Sequence, residues 1–133
     1  MNAERSERIV AALRERPAGE PPADALAAVF AEQYPAAAVL DRHDIERVQL
    51  VTSSPAPRGE YLKTLVQAER PLAEVIAERT GADPQRDLYP RVLAAAAFSA
   101  ARAAVGHWTL TEGTESLASL VRRAVLQVVG PPT

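Results

Sequence analysis

The spacing of hydrophobic residues is helical along the chain, and two segments near the C-terminus are more apolar than a surface helix requires. Within residues 88–110, Leu93, Ala97 and Trp108 recur at helical spacing and lie on one face. Alanines and aromatic residues on both sides widen that face and leave a narrow polar stripe. A second apolar helix is predicted over residues 115–129. The first segment is therefore expected at the centre of the domain, at a subunit interface, or at both.

Proline and glycine residues divide the preceding part of the chain into further helices. These are predicted over residues 3–16, 22–34, 37–53 and 58–79. Pro71 lies inside the last of them and is expected to kink or split it, and Gly81 is placed to end it. No window shows the strict alternation of a half-buried strand. The chain is therefore expected to be all-α: one domain over residues 1–133, a bundle of about six helices.

The composition is that of an ordinary globular domain and excludes several classes of function. Of the 133 residues, 47% are hydrophobic and 24% are charged, and the formal net charge is −2. This balance does not indicate the basic face that phosphate-binding proteins usually carry. The absence of cysteine excludes disulfides, thiolate metal sites and cysteine nucleophiles. The N-terminus is charged, unlike a signal peptide, and no run reaches the roughly 18 apolar residues of a membrane span, so a cytoplasmic protein is expected.

Candidate catalytic groups are few, and none is arranged for a known chemistry. His43 and Glu46 share a helix face at i,i+3 spacing, but no second such pair completes a metal site, and a solvated polar face is the favoured interpretation. His107 lies beside Trp108, where it could contact a ligand; an ordinary histidine near the last carbonyls of a helix is favoured. The glycines form no phosphate-binding loop. The sequence predicts no enzyme, no metal and no cofactor.

Two arginines in the apolar helix leave a binding role open. Arg91 and Arg102 are 11 residues apart, about three helical turns, and so lie on one stripe. They either meet a ligand carboxylate in an interior pocket, Arg102 being the better candidate, or they pair with acidic residues and solvent.

Several segments resemble the C-terminal regulatory domain of TetR-family transcriptional repressors. They are residues 48–55, 60–81, 87–97 and 117–129, and the likeness extends over nearly the whole chain from Ile9 onward. It is strongest to the actinobacterial type, in which a Pro-Arg-aliphatic helix rich in alanine follows a short acidic loop. The resemblance implies that the last two helices form a four-helix bundle with a second subunit. It also implies that the helices before them enclose a cavity for a small, usually apolar effector.

The resemblance assigns candidate site residues by position. The homodimer interface is expected at Leu93, Ala97, Ala101, Ala104, Trp108, Leu117, Leu120, Val121, Ala124 and Val128. Small alanines would let two helices approach closely, with Trp108 as the expected energetic centre. The ligand-binding residues are expected to be Phe30, Tyr34, Leu50, Tyr61, Leu65, Phe98 and Arg102.

One part of the family pattern has no counterpart in this sequence. Complete members begin with a helix-turn-helix domain that enters the major groove of DNA, whereas residues 3–16 resemble the end of the helix that connects the two domains. DNA is therefore expected as a partner only through a helix-turn-helix domain absent from this chain. The favoured function is an effector-sensing and dimerisation module that binds a small apolar ligand. The alternative is a stand-alone helical interaction protein that dimerises with itself or with a full-length regulator.

Overall fold

Six α-helices form the part of the chain that the structure, a computed structural model, describes: residues 3–36, 42–52, 58–111 and 114–130. Their bounds are α1 Ala3–Glu15, α2 Pro22–Ala31, α3 Arg42–Thr52, α4 Arg58–Thr80, α5 Leu88–Leu110 and α6 Leu117–Val129. No strand occurs in these residues, so the predicted all-α class is confirmed. Of the predicted α3 segment, residues 37–41 and 53 lie outside the described part.

Local chemistry explains the end of α4 and the start of α6. Gly81 follows α4 with φ 74°, and the Ala82 N–H donates to the Ala77 carbonyl at 3.0 Å, as in a glycine-terminated helix. The predicted role of Gly81 is thereby confirmed. At the start of α6 the Ser116 hydroxyl accepts a hydrogen bond from the Ser119 N–H at 3.2 Å, which satisfies one of the free donors of the first turn. Helix α6 therefore begins two residues later than predicted.

Two details differ from the sequence prediction. Helix α4 continues through Pro71, so the predicted split does not occur. Pro71 and Gln67 are both exposed, so water can solvate the Gln67 carbonyl that loses its helical donor. Helix α2 is shorter than predicted, because Gln33 and Tyr34 close tighter turns before Pro35.

The hydrophobic core lies between α2, α5 and α6, with α4 packed on α5 and α1 packed on α4. At its centre the rings of Phe30 and Phe98 meet edge to face, with their centroids 5.1 Å apart. Trp108 is 1% exposed, and its indole N–H donates to the Glu115 carbonyl at 3.1 Å. Burial of such side chains stabilises the fold by about 1.5–3 kcal/mol each. The Ala118 N–H donates to the Pro35 carbonyl at 3.1 Å, joining α6 to the end of α2.

One arginine joins the end of α1 to α4. The Arg79 guanidinium donates to the carbonyl oxygens of Leu13, Arg16 and Pro17 at 3.2, 2.9 and 2.8 Å. The Leu13 carbonyl also accepts the Arg16 N–H at 3.3 Å, and the Pro17 carbonyl accepts the Glu20 N–H at 3.1 Å. Arg79 adds a charged donor at this helix end, where the following helical N–H donors are lacking. The C-terminal end of α1 is therefore held in place on α4.

In the described part of the chain, none of the helices combines the length and the apolar character that crossing a bilayer requires.

Candidate functional site

Two grooves run along α4, one on each side of it. The α1–α4 groove has a volume of about 410 Å³ and is lined by Ala3, Ser6, Glu7, Val10, Ala11, Arg14, Gln67, Ala68 and Pro71. The α4–α5 groove has a volume of about 510 Å³ and is lined by Val66, Glu69, Arg70, Ala73, Glu74, Pro84, Gln85 and Arg91. Both volumes lie within the range of roughly 300–1,000 Å³ that small-molecule sites usually occupy.

The α1–α4 groove has apolar walls with few polar groups. Val10 and Ala11 of α1 lie on one wall, and Ala68 and Pro71 of α4 lie on the other. Gln67 adds an exposed amide to the second wall. Apolar walls with a few polar groups that fix orientation are typical of small-molecule sites.

Opposite charges at the edge of the α1–α4 groove balance each other. Glu7 and Arg14, both on α1 and both exposed, contribute one charge of each sign. The Arg14 Nε atom lies 3.8 Å from a carboxylate oxygen of Glu78. The groove therefore offers no strong net attraction to either an anion or a cation.

The α4–α5 groove is lined mainly by charged side chains. Arg70 and Glu74 pair along α4 with their charged atoms 3.7 Å apart, while Glu69 and Arg91 add one further charge of each sign. An apolar ligand would have to displace the water around these groups, which is costly. This groove fits an apolar effector less well than the α1–α4 groove does.

The aromatic residues assigned to a ligand pocket lie in the core. Phe30 and Phe98 are fully buried against each other, and Tyr34 is 8% exposed. The Arg5 guanidinium carbon lies 4.8 Å from the centre of the Tyr34 ring, within the range of a cation–π contact. Burial raises the pKa of the Tyr34 phenol above its usual value of 10.0, and Arg5 opposes part of that rise. These side chains fill space in the core and do not line either groove.

The remaining candidate pocket residues do not gather around one cavity. Leu65 is half-buried, Leu50 is 76% exposed, and Arg102 is exposed. None of these three lines either groove. The side chain of Tyr61 lies outside the described ones.

Most residues assigned to a dimer interface are covered within the single subunit. Eight of the ten are buried: Leu93, Ala97, Ala101, Ala104, Trp108, Leu117, Leu120 and Val121. Ala124 is half-buried, and Val128 is exposed. These eight side chains belong to the hydrophobic core of the single subunit. Trp108 in particular belongs to the core, where its N–H already has an acceptor.

The other face of α5 carries an uncharged strip that is open to solvent. The α5 strip consists of Leu88, Val92, Ala95, Ser99, Ala103, Gly106 and Leu110, which follow one another at intervals of three or four residues. All are exposed except Ala95, which is half-buried. A Cβ atom added at Gly106 would meet nothing within 4 Å. Of the five exposed residues of α6, four are polar, namely Ser119, Arg122, Arg123 and Gln127, and the fifth is Val128.

The side chains considered for catalysis are scattered over the surface. His43 and His107 are exposed on different helices, and Glu46 lies 3.5 Å from Arg42. Within the described ranges, no three His, Asp or Glu side chains group as metal ligands.

Sequence reasoning missed the groove residues Ser6, Val10 and Gln67. Each is an ordinary helical residue whose role depends on the packing of α1 against α4. Pro71, a proline within a helical pattern, was the feature of the sequence that could have drawn attention to this part of α4. Such a residue marks a carbonyl without its helical donor.

Comparison with known proteins places the chain in a family of TetR-type C-terminal domains. Residues 7–131 match the family model described as the MftR C-terminal domain, a TetR-type C-terminal domain. The HTH-type transcriptional regulator TcmR of Streptomyces glaucescens is 33% identical over 121 residues, which cover 82% of this chain and 51% of that protein. The chain thus spans about half the length of the curated relative it matches. The family resemblance drawn from the sequence is confirmed.

Proposed function

This chain belongs to the MftR C-terminal domain family of TetR-type transcriptional regulators, and from that premise we propose that it senses a small, largely apolar effector and dimerises. The α1–α4 groove is the observation on which the sensing proposal rests. Its volume of about 410 Å³, its apolar walls and its balanced edge charges suit an uncharged ligand. The proposal therefore moves the effector site from the aromatic core residues to this groove.

The position of the groove suggests how its occupancy would be transmitted. Arg79 holds the C-terminal end of α1 on α4, whereas the groove begins at Ala3 near the other end. A ligand between the two helices would act on the N-terminal part of α1, where Arg5 contacts Tyr34 in the turn that follows α2. Regulation requires two conformations of the domain that differ in the position of α1, and a ligand that binds one of them more tightly than the other.

Dimerisation is proposed through the α5 strip. Its central positions are small, so a second helix can approach closely, and its ends carry Leu88, Val92 and Leu110. Leu110 is 84% exposed in the single subunit. None of the seven residues is charged, so burial of the strip itself removes apolar surface from water. Arg91 and Arg102, which are exposed on the same side of α5, would lie at the edge of the contact.

The sensing proposal is tested with 1-methylindole, an apolar probe, by following the amide NMR signals of the 133-residue chain. Saturable shifts are expected at Val10, Ala11 and Ala68. Ala11→Phe fills the groove from an exposed position, so it should weaken binding at least tenfold while the protein stays folded. Ala18→Phe, in the α1–α2 loop, is the matched control and should change neither the binding of the probe nor the folding of the protein. Absence of groove shifts, or equal binding by Ala11→Phe, would reject the site.

A further inference from the structure

The wall of the α1–α4 groove contains a backbone acceptor that lacks its helical donor. In an α-helix the N–H of residue i donates to the carbonyl of residue i−4. Pro71 has no N–H, so the carbonyl of Gln67 loses this partner. Gln67 and Pro71 both line the groove, and both are exposed. The acceptor therefore belongs to the segment of α4 that lines the groove.

The apolar surroundings make this acceptor selective. In the empty groove, water can solvate the Gln67 carbonyl. A ligand that packs against Val10 and Ala68 displaces that water, and the carbonyl is then either paired with the ligand or left without a partner. An unpaired buried acceptor is costly, whereas a paired one is nearly neutral. The groove thus discriminates against ligands that have no hydrogen-bond donor.

We infer that the α1–α4 groove selects an uncharged, largely apolar ligand carrying a hydroxyl or N–H that donates to the Gln67 carbonyl. This inference rests on the proposed function, since it names the ligand chemistry of the same site. The opposite charges of Glu7 and Arg14 at its edge balance each other, so the groove does not favour a ligand with a net charge.

The test compares indole, which has an N–H donor, with 1-methylindole, which has none and is otherwise nearly the same shape. Binding to the whole chain is followed by NMR, including the carbonyl carbon of Gln67. Indole is expected to bind about tenfold more tightly, a ratio equivalent to about 1.4 kcal/mol, and to shift that carbonyl signal. Pro71→Ala restores the missing N–H, which donates to the Gln67 carbonyl within the helix. This variant should therefore reduce the ratio of the two affinities to near one. Alanine is far more favourable than proline inside a helix, so the variant is expected to fold.

Gln67→Ala separates the backbone from the side chain. It removes the amide but leaves the carbonyl and Pro71 unchanged, so the preference for indole should persist. Loss of preference in this variant would assign the contact to the side chain and overturn the inference. A ratio near one in the unaltered protein, or a preference that survives Pro71→Ala, would overturn it as well while leaving the groove as the effector site. If neither probe binds the groove, the proposed sensing site and this inference fail together.

Discussion

The Arg79 guanidinium of α4 donates a 2.9 Å hydrogen bond to the carbonyl oxygen of Arg16, the first residue after α1. Its two other bonds, to the carbonyls of Leu13 and Pro17, involve the same helix end. A positive charge there also interacts favourably with the negative end of the helix dipole. One side chain thus caps α1 and fixes the end of the helix that forms one wall of the proposed effector groove.

Replacement of Arg79 by methionine should therefore destabilise the fold. Methionine keeps a long apolar stem but cannot donate, so we expect the free energy of unfolding to fall by about 2 kcal/mol, the scale of a hydrogen bond from a charged group. Urea denaturation measures the change. Arg14→Met is the control, because its ion pair with Glu78 is exposed and should contribute at most about 1 kcal/mol. Equal losses in the two variants would contradict the capping role.

Gly81 should tolerate substitution poorly although its surroundings are open. A Cβ atom there would meet nothing within 4 Å, but φ is +74°, a conformation that costs an L-residue about 1–2 kcal/mol. Gly81→Ala is expected to lower the unfolding free energy by about 1 kcal/mol, and Gly81→Asn by less, because asparagine adopts this conformation more readily. Gly19 is equally uncrowded and has no positive φ, so Gly19→Ala should leave the unfolding free energy almost unchanged. Thermal unfolding measures all three variants.

The helices could be predicted from the sequence because their signals are local. Helix α5 has the predicted bounds, because Asp87 and the polar residues after Leu110 lie on either side of one long segment with apolar residues at helical spacing. Which face of α5 is covered depends instead on packing. The face of α5 that carries Trp108 and the α5 strip are both uncharged and rich in small residues. Only the positions of α2 and α6 determine which of the two is buried. The α1–α4 groove was likewise unpredictable, because its lining residues on the two helices are more than 50 residues apart in sequence.

Trp108 is expected to act on folding, and not directly on subunit association. Trp108→Phe removes the hydrogen bond to the Glu115 carbonyl but retains most of the buried area, so about 1–2 kcal/mol of stability should be lost. Trp108→Ala also leaves a cavity and should cost about 3–5 kcal/mol. Chemical denaturation at two protein concentrations tests this. A Trp108→Phe variant that keeps its stability but loses its dimer would restore Trp108 to the interface.

Glu20 should titrate below its ordinary range because of Arg16. The Arg16 Nε–H donates to a Glu20 carboxylate oxygen at 2.7 Å, and this hydrogen bond lowers the pKa of Glu20 from the usual 4.5, with burial opposing it. The folded state therefore binds this proton less readily than the unfolded state. The stabilisation is present above the unfolded pKa and is lost as the pH falls through the folded pKa. Carboxyl NMR titration should show the Glu20 midpoint rising in Arg16→Met and unchanged in Arg8→Met.

The α5 strip gives the last prediction, which concerns the subunit number. Ala103 lies in the middle of the strip and is exposed, so glutamate there is solvated in a free subunit but buried without a partner in a dimer. Ala103→Glu is therefore expected to weaken association at least tenfold, measured by sedimentation equilibrium, with little change in helix content. Ala18→Glu, exposed in the α1–α2 loop, carries the same charge change and should leave association unaltered. Gly106→Leu provides an uncharged test, since the subunit has room for the side chain whereas a closely packed second helix does not. If both strip variants sediment as the unaltered protein does, the strip is not the interface.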